Sequence, residues 1–280
     1  MTTREFIDSI KKADLSKVSY NKIVSDIKFN SIKLPYTTTL IKKGQFIERG
    51  RINNNQEIFN SEFEISYRTD TGNITKFGRA NKPFQSRFYG AMPSNNLKLA
   101  RIVLFSELVE QFRDTTTTEH ETTMTIGRWF VKEDFEVADV CYSSRYFGVS
   151  DLKDKYNYWV NKTKNTEIGK KEFQELLEFF SNEFSKPHIE NHSDYKLSSI
   201  YTDLAILANG LKGIIYPSVR TDYLANNIAL PAETVEQYLE LKEVAVFEFS
   251  NKNSNPIILP KSYSDELGAY NSKFNWKNYN

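Results

Sequence analysis

The sequence predicts an α+β fold, on three observations. Helix-period segments cluster in one block, near 151–163, 169–185 and 194–209. Short apolar strand signals at 45–52, 88–91, 213–216 and 244–249 lie outside that block, and the order has no βαβ regularity. No internal repeat and no long linker divides the chain. The expected architecture is one mixed domain with an N-terminal arm and a helical insertion near 142–192.

Composition bounds the function. Hydrophobic residues make up 39% and charged residues 26%, a globular balance. The net charge is +1, so no general electrostatic drive toward nucleic acid or a membrane surface exists. The single cysteine, Cys141, excludes an intrachain disulfide and reads as a small buried hydrophobe. The first residues lack the continuous apolar run of a secretory signal, and no window reaches the length needed to span a bilayer. The expectation is a soluble, cytoplasmic protein; export without a cleaved signal stays open.

Residues 4–13 carry Phe6, Ile7 and Ile10 at helical spacing, and 14–44 read as a mixed polar arm packed on the domain. Gln45 to Ile52 is a strand. Residues 56–76 form a polar excursion that closes at Asp70–Asn73. Ser94-Asn95-Asn96 is the expected cap of a helix from Leu97 to Phe112, with Leu104, Leu108 and Val109 on its apolar face and Glu107 at its border. Thr115 to Glu121 reads as a loop. Residues 125–131 and 135–140 are expected to pair as a hairpin around Lys132-Glu133-Asp134.

Further on, Phe173, Leu176, Leu177, Phe180 and Phe184 fit the helix period. His188 and His192 stand four apart, but Pro187 and Asn191 break a helix there and His120 is remote; the stretch reads as a polar linker and no metal is expected. The helix 194–209 buries Ile200, Leu204, Ala205, Leu207 and Ala208, with Gly210 as its C-cap. Gly213 to Tyr216 is a buried strand. Pro231 opens a last helix, 244–249 is a closing strand, and the tail after Asn251 is polar and loosely packed.

The stretch Phe77 to Ala91 is chemically dense. Gly78 and Pro83 mark a tight loop, Arg79 and Arg87 supply charge, and Phe88-Tyr89-Gly90-Ala91 delivers an aromatic hydroxyl on a strand. Fixed cations beside an aromatic suit a phosphate joined to a flat ring. Arg49, Arg51 and Arg79 are candidate phosphate grips, Tyr89 the aromatic surface, Glu107 a carboxylate and Ser218 a small hydroxyl. Each also has an ordinary structural role open to it: a solvated helix face for Glu107, a core aromatic for Tyr89, a turn residue for Ser218.

Taken in order, these pieces resemble the RES domain family over most of residues 45–230. Phe46-Ile47-Glu48-Arg49 looks like its first strand, which implies Arg49 as the early catalytic arginine, with Arg51 on the same face as the alternative. Gly78-Arg79-Ala80-Asn81 looks like its Gly-Arg-x-Asn loop, followed by the strand of Tyr89. Leu104 to Val109 looks like the helix of the family glutamate, Glu107, with Glu110 as the alternative. Tyr216-Pro217-Ser218 looks like the late serine strand, and Asn227 opens a segment similar to the one after it.

The resemblance implies a fold related to the ADP-ribosyltransferases, spanning 45–250 with an insertion about 113–192, an arm over 1–44 and a tail over 251–280. It implies catalytic roles for Arg49, Tyr89, Glu107 and Ser218, and binding roles for Arg51, Arg79, Asn81 and Asn227. The implied substrate is NAD, cleaved at the nicotinamide–ribose bond by hydrolysis or phosphorolysis, with inorganic phosphate as a partner of the second route. It further implies a toxin that depletes NAD and a cognate antitoxin protein that covers the site. Transfer of ADP-ribose to a protein is one alternative, and a non-catalytic nucleotide-binding module of the same fold is another. Ser218 is expected to contact substrate rather than to be acylated, since no histidine stands at a pairing position.

Overall fold

A computed structural model describes residues 1–54, 57–113, 119–252 and 255–279. In chain order its elements are α1 (Thr3–Lys12), α2 (Tyr20–Phe29), β1 (Thr37–Ile41), β2 (Phe46–Ile52), α3 (Glu62–Ile65), β3 (Phe88–Met92), α4 (Ala100–Leu108), α5 (Glu110–Arg113), β4 (Glu119–Val131), β5 (Phe135–Asp139), α6 (Ser150–Thr163), α7 (Lys171–Phe184), α8 (Lys196–Asn209), β6 (Ile214–Pro217), β7 (Asn226–Leu230), α9 (Ala232–Tyr238), β8 (Leu239–Lys252), β9 (Asn255–Ser264) and β10 (Lys277–Asn278). The fold is α+β. The chain weaves between two compact units. One comprises Met1–Leu40, Asp70–Ser86 and Glu136–Val219, and the other Ile41–Thr69, Arg87–Phe135 and Arg220–Asn280.

The first unit carries β1, β5 and β6 side by side, with β5 and β6 parallel through Ala138↔Ile214 and Asp139↔Ile215. α1 starts at a capping box in which Thr2 and Glu5 satisfy each other's backbone N–H groups, and it buries Phe6, Ile7 and Ile10. α7 buries Leu176, Leu177, Phe180 and Phe184; Phe180 stacks on Tyr201 of α8 at 4.7 Å between ring centroids. α8 ends at Gly210 in the left-handed conformation (φ 68°), which a side chain would strain. The side chains of Leu207 and Ala208 lie outside the described residues. Cys141 is fully buried, its sulfur 3.8 Å from the Thr37 hydroxyl.

The second unit carries seven strands in the order β7-β3-β2-β4-β8-β9-β10. The strand pairs are antiparallel. α4 packs on one face through Val103, Leu104 and Phe105, against Ala91, Met124, Ile126, Phe247 and Phe249. A Cβ at Gly50 would meet Met124 Sδ at 2.5 Å, so glycine leaves room for the Met124 side chain on the face that α4 covers. On the opposite face Phe88 meets Trp129 edge-on at 4.9 Å.

Four expectations change. The hairpin around residues 132–134 does not form: β4 pairs with β2 and β8, and β5 with β6 and β1. The burial of Val137, Ala138 and Asp139 in succession explains this, because a strand covered on both faces suits a parallel neighbour. Glu119, His120 and Glu121 begin β4 rather than a loop, while Thr115–Thr118 lie outside the described residues. The helix expected over 97–112 starts late and breaks. Ser94 Oγ instead accepts from the backbone of Asn96 and Leu97 in a preceding turn, and Val109 is extended (φ −108°, ψ 105°) and buried. The C-terminal tail is not loose: β9 pairs along β8, β10 along β9, and Phe274 is buried.

Candidate functional site

β2 turns alternate residues to opposite faces, so Ile47, Arg49 and Arg51 share one face and Glu48 and Gly50 the other. Arg49 lies over the Phe88 ring, 5.2 Å from its centroid. Its Nε donates to the carbonyls of Ile65 (3.1 Å) and Ser66 (3.2 Å), and its Nη1 to the carbonyl of Tyr89 (2.7 Å). Burial, then the charge of Arg51, lowers its pKa to about 9, while Tyr89 acts the other way. The guanidinium remains cationic at neutral pH, and its Nε and Nη1 serve backbone carbonyls. Arg51 donates to the Glu64 carbonyl and lies 4.8 Å from the Phe59 centroid.

The other face of the same strands carries the remaining candidates. Cross-strand partners share a face, and the register aligns Asn227, Ala91, Glu48 and Arg128 in one row over β7, β3, β2 and β4. α4 places Glu107 on this row, where Asn227 Nδ2 donates to Glu107 Oε1 at 2.8 Å. Tyr89 stands two residues from Ala91 on β3, one diagonal step from Asn227 on the same face. Glu107 is half-buried and Asn227 buried, whereas Glu110 is exposed at the start of α5. Leu108, expected on the apolar face, is 42% exposed. A carboxylate held by a neutral amide keeps its charge and fixes its direction, which is what stabilising a developing cation requires.

Sequence reasoning missed three charged residues beside that pair. Glu48 is 3% exposed. Arg128 donates to its Oε1 from Nε (3.2 Å) and Nη2 (3.0 Å), and from Nη1 to Glu243 Oε2 (2.9 Å). Arg101 of α4 brings Nη2 to 3.7 Å from Glu48 Oε1, with its guanidinium 4.8 Å from the Phe247 centroid. A glutamate in an alternating strand reads as solvent-facing. The available signal was its phase: Glu48 shares the phase of Gly50, whose missing side chain leaves room for Met124 on the face that α4 covers.

Arg79, Asn81 and Ser218 belong to the first unit. The loop closes as expected, with the Gly78 and Asn81 backbones bonded both ways at 2.9 and 3.4 Å. Arg79 donates to the Phe184 carbonyl and lies 5.1 Å from the Tyr195 centroid. Asn81 is buried and donates to the Lys82 carbonyl at 3.0 Å. Ser218 is fully buried just after β6. His192 stacks on Phe77 at 5.9 Å and accepts from its backbone N–H at 3.3 Å. Among the described residues no three His, Cys, Asp or Glu side chains group to hold a metal ion, and no helix is long and apolar enough to cross a membrane.

Within the second unit, therefore, Glu107 and Asn227 meet on the sheet face that Tyr89 shares, and Arg49 and Arg51 sit on the other. Compared with protein-family models and with curated proteins, the chain gives no match.

Proposed function

We propose that this chain consumes NAD by cleaving the bond between nicotinamide and ribose, and that its fold is the ADP-ribosyltransferase-like one of the RES family it resembles. The observation that carries the reading is the Glu107–Asn227 pair beside Tyr89 on one face of one sheet. As the bond from C1′ to the pyridinium nitrogen breaks, both electrons leave with nicotinamide, which departs neutral. The ribose becomes oxocarbenium-like, and a fixed carboxylate stabilises that charge more than it stabilises the ground state. Water, which releases a proton to solvent, or an oxygen of inorganic phosphate then bonds C1′. Asn227 keeps Glu107 aimed, and Tyr89 offers a ring and a hydroxyl to the flat leaving group.

On this reading NAD loss would arrest growth in the cell that holds the protein, and a partner that covers the site would prevent it. The test is incubation of the purified chain with NAD, with and without phosphate, followed by chromatography. Nicotinamide release is expected, and its dependence on phosphate separates phosphorolysis from hydrolysis. Intact NAD under both conditions overturns the reading.

A further inference from the structure

The row that carries Asn227 continues across Ala91 to Glu48, and α4 reaches both ends of it, with Glu107 at one and Arg101 at the other. The Glu48 end has two loose polar groups. Glu48 Oε2 and Arg101 Nε are buried and hydrogen-bonded to no described residue. Both are costly to bury in that state. Arg128 does not need them, since its donors already serve Glu48 Oε1 and Glu243. Arg101 and Glu48 do not satisfy each other either, because 3.7 Å is ion-pair contact but too long for a hydrogen bond.

What remains is one carboxylate oxygen that needs a donor and one guanidinium that needs an acceptor, side by side. A sugar hydroxyl and a phosphate supply that combination, and they are neighbours in a ribosyl phosphate. We propose that Glu48 and Arg101 form the ribosyl-phosphate subsite of the NAD site, with Glu48 Oε2 accepting from a ribose hydroxyl and Arg101 donating to the adjacent phosphate. The inference rests on the NAD reading and extends it. Arg101 is the phosphate grip on the face that holds Glu107, whereas Arg49 on the opposite face holds backbone.

Calorimetry on the full chain tests this with ADP-ribose and with nicotinamide riboside, which carries the same ribose without a diphosphate. Arg101→Ala should weaken ADP-ribose about tenfold or more, the scale of one lost charge-assisted contact, and nicotinamide riboside less than twofold. Arg101→Lys should recover part of the loss. Glu48→Gln should weaken both ligands, since both carry the hydroxyl. If Glu48→Gln does not fold, the Arg101 pair of variants still decides. Equal weakening of both ligands by Arg101→Ala would assign Arg101 a structural role and overturn the subsite. Unchanged ADP-ribose affinity in Arg101→Ala would overturn it too, and leave the NAD reading standing. If the parent chain binds neither ligand, the NAD reading and the subsite fall together.

Discussion

Asn227 Nδ2 donates to Glu107 Oε1 across 2.8 Å, joining strand β7 to helix α4. The amide is a neutral donor, so it holds the carboxylate without cancelling its charge. Asn227→Ala should lower kcat about tenfold to hundredfold, the equivalent of one hydrogen bond to a charged group, with little change in KM. Asn227→Asp should do more. Two carboxylates at that distance compete for a proton, so the acidic limb of the pH–rate profile should move upward. Steady-state kinetics from pH 5 to 9 read both effects.

Arg49 should matter to the fold more than to binding. Its guanidinium ties the carbonyls of Ile65, Ser66 and Tyr89 together. Arg49→Ala leaves those carbonyls without their charged donor, and about 2–3 kcal/mol of stability should be lost. Lysine cannot reproduce the fork, so Arg49→Lys should recover little. Urea denaturation measures the loss. A stable Arg49→Ala chain with weakened ADP-ribose binding would return Arg49 to the role of phosphate grip.

The first unit contains an ion pair, Lys155 Nζ to Asp139 Oδ2 at 2.9 Å, in which the Asp139 side chain is 4% exposed and that of Lys155 29%. Burial alone lowers the Lys155 pKa, but the charge and hydrogen bond of Asp139 outweigh it and the net shift is upward. Lys155→Met leaves a buried carboxylate uncompensated and should cost about 3–5 kcal/mol. Lys155→Met combined with Asp139→Asn should recover much of that. A Lys155→Met chain as stable as the parent in thermal melting would contradict this account.

Stability should fall on the alkaline side. Burial raises the Cys141 thiol above its ordinary 9.0, and the Tyr142 and Tyr201 phenols above their ordinary 10.0. These acids keep their protons longer in the folded chain than in the unfolded one. Their contribution is therefore complete below pH 9 to 10 and is lost as pH rises through their folded values. Arg49 works in the opposite sense from about pH 9, because its folded pKa is lowered. Lys155, raised, adds to the decline, and Lys196, lowered, opposes it with Arg49; the raised groups are the more numerous, which leaves a net decline. Thermal melting from pH 7 to 11 should show the midpoint dropping from about pH 9, and Cys141→Ala should flatten the first part of the drop.

Local structure was legible where neighbouring residues decide it. Phe6, Ile7 and Ile10 report α1, and Gly210 reports the end of α8. Partner choice was not legible. Lys132–Asp134 makes an adequate hairpin turn, but burial of β5 on both faces selects β6, which is remote in sequence. The site was half legible for the same reason. Tyr89, Glu107 and Asn227 carry their chemistry in their side chains, so they could be named singly. That Arg49 faces away from them follows only from the register Glu48↔Ala91, and so does the placement of Glu48 beside Arg101.

The central claim is that the Glu107 charge lowers the barrier to nicotinamide departure. The measurement is kcat and KM for NAD in Glu107→Gln and Glu110→Gln side by side. Glu107→Gln keeps the shape and removes the charge, so kcat should fall by roughly a hundredfold or more while KM changes little. Glu110→Gln, altering an exposed residue at the start of α5, should turn over NAD like the parent. Parent-like turnover by Glu107→Gln would contradict the account, and an inactive Glu110→Gln beside it would move the role to Glu110.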